Sequence, residues 1–185
     1  MVINDIKCVK GAYGFENLGC CSFSSKAGRA TKSFLKLSNY MIDSSKSTWI
    51  AIYIPQASRK FRKEAGLPEI TNYEGYISAF QELTPQRGID YKEWGINDRW
   101  DYGIPAKRIF AFKKPKIHIT QIFDDYEIKN FYASTLSSAA HFLTDEQEKS
   151  LISRVSTDDL VEIEVEEKFI NLYPKLNERF QKNLL

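Results

Sequence analysis

Residues 75–115, GYISAFQELTPQRGIDYKEWGINDRWDYGIPAKRIFAFKKP, carry two strand-like runs that enclose a long loop. The first run, Tyr73–Leu83, begins just before this stretch, and the second is Ile104–Phe112. Both runs are rich in aromatic and β-branched residues, which is typical of strands. The stretch therefore predicts two strands of a sheet that are joined by an unusually long connection.

The connection, residues 84–103, contains two of the three tryptophans, Trp94 and Trp100. A loop of about twenty residues without secondary structure is uncommon in a compact domain and is usually functional. Two interpretations of the tryptophans stay open. The rings fill the interior of a small barrel, or they form the walls of a pocket for a planar ligand, such as a base taken out of a nucleic-acid stack.

Upstream of this stretch, the sequence predicts a strand, a helix and another strand. Residues 2–15 are typical of a strand that runs into a glycine-rich turn. From Gly28 onwards, apolar residues recur at helical spacing up to Met41. Thr48–Ile54 is an uninterrupted run that Pro55 closes, as expected of a strand buried on both faces.

Downstream of Ile117, we expect helical turns near residues 118–123 and a strand near Phe131. A helix should begin after Thr144, because Thr144 and Gln147 have the spacing of a capping box.

The end of the chain is ambiguous, since residues 161–165 alternate like a strand and residues 172–180 recur like a helix. The sequence therefore predicts one domain over residues 1–170. A C-terminal helix over residues 171–185 would lead towards a further domain.

The net charge of +2 conceals an asymmetry along the chain. Residues 1–116 hold 19 Lys and Arg against 11 Asp and Glu, and residues 117–185 hold 7 against 13. A basic front part is typical of a protein that contacts phosphates, and the acidic part is expected to face solvent or a partner. The candidate phosphate-binding residues are Arg29, Lys32, Lys36, Arg59, Lys60, Arg62, Lys63, Lys107 and Arg108.

Motifs of catalysis are missing from the sequence, which contains no phosphate loop, nucleophile elbow or zinc-protease helix. The three cysteines lack metal-ligand spacing and are expected to be buried thiols. His118 is expected to be a hydrogen-bonded structural histidine. We therefore predict a domain that has no enzymatic activity, no cofactor and no bound metal. Because the sequence contains neither a membrane span nor a signal peptide, the expected location is cytoplasmic and no membrane partner is expected.

The order of elements resembles the PUA-like superfamily, in particular its EVE and YTH branches. The similarity to YTH domains covers residues 18–122 and includes Cys20-Cys21-Ser22 and the helix around residues 29–34. Trp94 and Trp100 lie near the second and third cage positions of that family. Residues 118–155, HITQIFDDYEIKNFYASTLSSAAHFLTDEQEKSLISRV, resemble the C-terminal segment of EVE domains.

This resemblance implies an α+β fold, a small twisted β-barrel flanked by helices and ending in a helix. It also implies an aromatic pocket that receives a modified base. The first cage tryptophan of the YTH family corresponds to Cys20, so this wall of the pocket is either thinner or supplied by another ring, with Tyr13, Phe15, Phe23 and Trp49 as candidates. The candidate base-binding residues are Trp94, Trp100, Cys20, Ser22, Phe23, Trp49, Asn97 and Asp98.

Domains of this branch also occur at the N-terminus of McrB, the nucleotide-driven subunit of modification-dependent restriction systems. By this resemblance, the expected ligand is double-stranded DNA with N6-methyladenine, and a methylated cytosine comes second. The expected partners are an NTPase motor, fused to the domain, and a nuclease subunit. Three alternatives stay open: an RNA-binding module of the same superfamily, a protein-interaction domain, and an enzyme of the ASCH branch that would use Lys26, Thr31 and Glu82.

Overall fold

The structure, a computed structural model, describes residues 3–12, 14–15, 18–23, 28–44, 47–55, 58–64, 66, 69–83, 89–90, 102–133 and 140–165. The strands are β1 (Ile6–Gly11), β2 (Cys20–Phe23), β3 (Thr48–Tyr53), β4 (Tyr76–Leu83), β5 (Ile89–Asp90), β6 (Tyr102–Phe112), β7 (Ile117–His118), β8 (Ala140–Phe142) and β9 (Leu160–Ile163). The α-helices are α1 (Gly28–Ser44), α2 (Ser58–Glu64), α3 (Asp125–Ala133) and α4 (Asp145–Ile152). Short 3-10 helices are η1 (Thr71–Tyr73), η2 (Ile119–Gln121) and η3 (Thr157–Asp159).

The strands form one sheet that curls into a half-barrel. Its order is β2-β6-β4-β3-β1-β8, with β5 and β9 also paired to β6 and β7 paired to β4. The β1–β3 pair is parallel and the other pairs are antiparallel. This mixed architecture agrees with the expected α+β class and confirms the three strands predicted around residues 48–54, 73–83 and 104–112.

Side chains alternate along each strand, so each face of the sheet carries a core of its own. On β6, Ile109 and Ala111 face an inner core, whereas Phe110 and Phe112 face an outer core. Helix α1 lies over the inner core, and η2, α3 and α4 contribute to the outer one. Every residue of β3 is buried, which confirms the predicted two-sided burial of this strand.

Helix α1 packs against both end strands of the half-barrel, β2 and β8, as well as β6. Its apolar stripe, Phe34, Leu37 and Met41, is buried in the inner core as the helical spacing predicted. The Ser33 hydroxyl donates to the carbonyl of Ala140 at 3.3 Å, which ties the helix to the edge strand β8.

The prediction of a strand near Phe131 is wrong, because this residue lies in α3. Asp124 and Glu127 form a reciprocal pair at the start of that helix. Each side chain accepts the backbone N–H of the other residue, at 2.8 and 3.0 Å. This pairing satisfies backbone donors that a helix start leaves open, and it outweighs the strand preference of the aromatic residues. Residues 166–185 lie outside the described residues, so the domain boundary at residue 170 and the final helix stay predictions.

The capping box before α4 is confirmed. The Thr144 hydroxyl accepts from the N–H of Gln147 at 3.3 Å, and the Gln147 side chain accepts from the N–H of Thr144 at 3.0 Å. We expect Thr144→Ala to lower the free energy of unfolding by about 1 kcal/mol, since the N–H of Gln147 loses the hydroxyl that accepts its hydrogen bond. Urea unfolding measures the loss.

Ser156→Ala is the matched control, because Ser156 precedes η3 without a side-chain cap hydrogen bond. It should change the free energy of unfolding by less than about 0.5 kcal/mol. Equal losses in the two variants would contradict the assignment of the stabilisation to the cap.

Candidate nucleic-acid interface

We call residues 91–101 the tryptophan loop. A strand pair holds the residues on either side of it next to each other. Ile89 of β5 pairs with Gly103 of β6, and Asp90 pairs with Tyr102. Asp90 and Tyr102, which flank the segment 91–101, are therefore neighbours in the sheet. Trp94, Asn97, Asp98 and Trp100 belong to this segment and lie outside the described residues.

Strand β2 lies on the other edge of β6 at the same point. Ser22 pairs with Gly103 and Phe23 pairs with Tyr102. Because Gly103 pairs with both Ser22 and Ile89, β6 is flanked by β2 and β5 here. We call this place the loop junction. It places β2, which carries three of the candidate base-binding residues, close to both residues that flank the segment 91–101, which carries four others.

Cys20 and Cys21 of β2 are buried in the inner core, with 5% and 2% of their surface exposed. Burial raises the pKa of Cys21 to about 12, although Lys10 nearby acts in the opposite direction, so this thiol stays neutral at physiological pH. All three cysteines are buried, which agrees with the expectation of buried thiols. Cys20 therefore packs in the core and does not line an exposed surface.

Trp49, expected as a cage wall, is a core residue. It is 5% exposed, and its ring packs against Phe110 with a centroid distance of 5.8 Å. The physical reason is its place on β3, which lies between β1 and β4 and is covered on both faces. Phe15 is also placed elsewhere, with its ring edge-to-face against Tyr73. Tyr13 lies outside the described residues.

Helix α1 brings part of the expected cationic rim close to the loop junction. It begins at Gly28, so only residues 24–27 separate it from the end of β2. Arg29 belongs to its first turn, and Lys32 and Lys36 are exposed. The Lys36 ammonium also lies 3.9 Å from the centroid of the Phe142 ring, a distance at which cation–π attraction is effective.

Lys107 and Arg108 lie in the middle of β6 at a β-bulge. Glu82 of β4 pairs with Arg108 and Leu83 pairs with Ala106, so Lys107 is the extra residue and its side chain is exposed. Arg108 is held by two carboxylates, Glu82 at 3.7 Å and Glu162 at 3.3 Å, and its guanidinium lies 4.8 Å from the Phe110 ring. Of the two expected phosphate ligands, Lys107 is exposed, whereas Arg108 is half-buried and paired with carboxylates.

Helix α2 divides its four basic residues between two faces. Arg59 and Glu74 form a bidentate pair with distances of 2.8 and 3.2 Å. Arg62 is 3% exposed, and with Arg59 it lines a shallow depression shared with residues 69–74. Their spacing of three puts both on the face that packs on this segment. The expectation that Arg62 contacts phosphate is therefore not met, whereas Lys60 and Lys63 are exposed.

The structure also separates α2 from the loop junction. Helix α2 follows the end of β3, at the level where β4 begins and β6 ends, whereas the loop junction lies at the start of β6. The 11 residues of β6 span about 33 Å at ~3.3 Å per residue. The basic residues of α2 therefore do not belong to one local cluster with the loop junction.

Sequence reasoning missed that the acidic part of the chain partly neutralises the basic part. Lys116 pairs with Asp159, and Arg108 pairs with Glu162. The opposite charges of the two halves were the signal that could have indicated these contacts.

Other kinds of site find no support in the part of the chain that the structure describes. His, Cys, Asp and Glu side chains form no group of three there that could hold a metal ion. Likewise, none of the helices in the described ranges combines the length and apolar character that a membrane crossing requires. The ASCH alternative would use Lys26, Thr31 and Glu82. The Glu82 carboxylate lies beside Arg108, and the side chains of Lys26 and Thr31 are not among those that the structure describes.

Comparison of the chain with protein-family models, curated proteins and solved structures found no match.

Proposed function

We propose that this chain binds double-stranded DNA that carries a methylated base, and that the base leaves the duplex to enter an aromatic pocket at the loop junction. The observation that carries the proposal is the convergence of β2, β5 and β6 at the base of the tryptophan loop. In this proposal, the fold is a PUA-like barrel of the EVE and YTH type. The domain would be the recognition part of a modification-dependent restriction protein with an NTPase motor and a nuclease partner.

The energetics of such binding divide into three parts. Arg29, Lys32 and Lys107 would contact phosphates and supply affinity without sequence preference. Extrusion of the base costs a few kcal/mol, which stacking on Trp94 and Trp100 would offset at about 1 to 3 kcal/mol per ring. Burial of one methyl group adds about 0.8 kcal/mol, which corresponds to roughly fourfold preference.

Stronger selectivity requires polar groups that the unmodified base would leave unpaired. Backbone groups of β2 and the side chains of Ser22, Asn97 and Asp98 are the candidates for this role. N6-methyladenine is the leading ligand, and 5-methylcytosine is the second.

A binding panel tests the proposal. Matched oligonucleotides with N6-methyladenine, 5-methylcytosine, 5-hydroxymethylcytosine or no modification are titrated by fluorescence anisotropy, as DNA duplexes and as RNA. We expect at least fourfold tighter binding to one methylated DNA duplex than to its unmodified counterpart. Equal affinity for all DNA duplexes would reject the proposal, and preference for RNA would favour the RNA-binding alternative.

A further inference from the structure

We propose that Gln81, a buried residue of β4, is the positioning residue that fixes β2 at the loop junction. Its amide nitrogen Nε2 donates to the backbone carbonyl of Leu18, two residues before β2 begins. Gln81 is 1% exposed and Leu18 is 4% exposed, so this bond lies in the interior of the protein. The effect of Gln81 on the position of β2 is argued from the structure alone, whereas its effect on recognition rests on the proposed function.

The bond between Gln81 and Leu18 bypasses one strand of the sheet, because β6 lies between β2 and β4. Gln81 is on the inner face of β4, since it alternates with Ala79 and Leu83 of the inner core. Leu18 belongs to the same core. The segment that leads into β2 therefore reaches back over the inner face of the sheet, and Gln81 holds it there.

Two successive backbone carbonyls before β2 are held by different strands. The carbonyl of Gly19 accepts from the N–H of Ala106 at 2.9 Å, which extends the pairing of β2 with β6. The carbonyl of Leu18 accepts from Gln81 of β4. Strand β2 has only four residues, Cys20–Phe23, and lies at one end of the strand order. Because so short a ladder holds its own register weakly, we infer that the contact with Gln81 decides the register of β2.

The register of β2 decides which of its residues reach the loop junction. In the observed register, Ser22 pairs with Gly103 and Phe23 pairs with Tyr102. A slip by one residue would turn every side chain of β2 to the opposite face. It would also move the backbone groups of β2, which are candidates for pairing with the base, by about 3.3 Å along β6. A hydrogen bond to the base would not survive a displacement of this size.

The second polar atom of the Gln81 amide indicates that this residue does not serve stability alone. Its Oε1 is buried and has no hydrogen-bond partner within the described residues. A buried acceptor without a partner costs stability, which offsets what the bond to Leu18 contributes. In Gln81→Met, this acceptor is removed while the Leu18 carbonyl loses its donor, so the two effects oppose each other. The melting temperature should therefore stay within about 4 °C of wild type.

Cysteine labelling under native conditions tests the position of β2. Cys20 and Cys21 lie on this strand, whereas Cys8 lies on β1, and all three are buried. Digestion after lysine puts Cys8 and the other two in different peptides, so mass spectrometry measures them separately. We expect N-ethylmaleimide to label Cys20 and Cys21 faster in Gln81→Met than in wild type, by a factor of about 10 or more, through local opening of β2. The labelling rate of Cys8 should change by less than about twofold, because β1 stays closed.

Anisotropy titrations of the same variant test the role of Gln81 in recognition. The preference for methylated over unmodified duplex should fall by a factor of about 3 or more, because the groups that pair with the base are displaced. Binding to unmodified duplex should stay within about twofold of wild type, since the phosphate contacts remain.

Ser78→Ala is the matched control. Ser78 is also buried on β4, and its hydroxyl donates to the carbonyl of Ile52 on β3 at 3.2 Å. This variant therefore loses a comparable buried hydrogen bond at a different strand, and its labelling rates and methyl preference should match wild type.

Equal labelling of wild type and Gln81→Met, or faster labelling of all three cysteines together, would overturn the positioning role. The same holds if Ser78→Ala behaves like Gln81→Met. An unchanged methyl preference in a variant with faster labelling of Cys20 and Cys21 would overturn the role of Gln81 in recognition. In a wild type without methyl preference, selectively faster labelling of these two cysteines in Gln81→Met would support the positioning role and reject the proposed function.

Discussion

Trp94→Ala is expected to abolish the preference for methylated over unmodified duplex and to leave only weak, salt-sensitive binding. The ring is proposed to stack on the extruded base, and the loss of such a contact costs about 1 to 3 kcal/mol, which is a factor of roughly 5 to 150 in Kd. The phosphate contacts of the lysines would remain, so binding to unmodified duplex should change little. Anisotropy titrations with the two duplexes at several salt concentrations measure both effects.

Two further variants make this experiment specific. Trp94→Phe keeps an aromatic face for stacking and should recover much of the preference. If Trp94→Ala acted only by disturbing the loop, the two substitutions should lower the preference equally. Tyr126→Ala removes an aromatic side chain on α3 that is 75% exposed and lies outside the loop junction, so it should bind like wild type. Unchanged discrimination in Trp94→Ala would remove this residue from the pocket.

Gly75→Ala is expected to cost about 3 kcal/mol of unfolding free energy. Gly75 has a φ of 81°, in the left-handed region, where a Cβ costs about 1 to 2 kcal/mol. An added Cβ would also overlap the imidazole ring of His118. That ring cannot move freely, because it packs edge-to-face on Tyr76 with a centroid distance of 4.9 Å.

The His118 ring also has a capping role at the start of η2. Its Nδ1 accepts from the N–H of Thr120 at 3.4 Å, and displacement of the ring would add about 1 kcal/mol for the lost cap. The edge-to-face contact with Tyr76 and this cap confirm the expectation that His118 is a hydrogen-bonded structural residue.

Gly66→Ala separates the two costs of the Gly75 substitution. Gly66 has a φ of 68°, but an added Cβ would meet no atom within 4 Å. We therefore expect a loss of about 1 kcal/mol there, from the backbone conformation alone. Urea unfolding of the two variants at the same pH measures the difference, and equal losses would contradict the role of the contact with His118.

Local patterns predicted much of the fold, because they depend on neighbouring residues only. The stripe of Phe34, Leu37 and Met41 indicated α1, the run from Thr48 indicated β3, and Thr144 with Gln147 indicated the start of α4. The strand expected near Phe131 failed because residue preferences are weaker than the reciprocal hydrogen bonds that start α3.

The candidate site was harder to predict, since it depends on which strands become neighbours. The burial of Trp49 followed from the two-sided burial expected of its own strand, so this residue could have been excluded from the pocket. The burial of Arg62 and the two carboxylates on Arg108 depend on contacts between segments distant in sequence. The separation of α2 from the loop junction depends on strand direction, which residue types do not indicate.

Strand β1 has an implication for how the protein folds during synthesis. It pairs on one edge with β3 in parallel and on the other with β8, where Cys8 lies opposite Phe142. The ribosome must therefore release the chain as far as β8 before the second edge of β1 can pair. Until then, the unpaired backbone groups on this edge of β1 stay open to other chains. Pairing of β1 with β8 joins segments far apart in sequence and is therefore intrinsically slow.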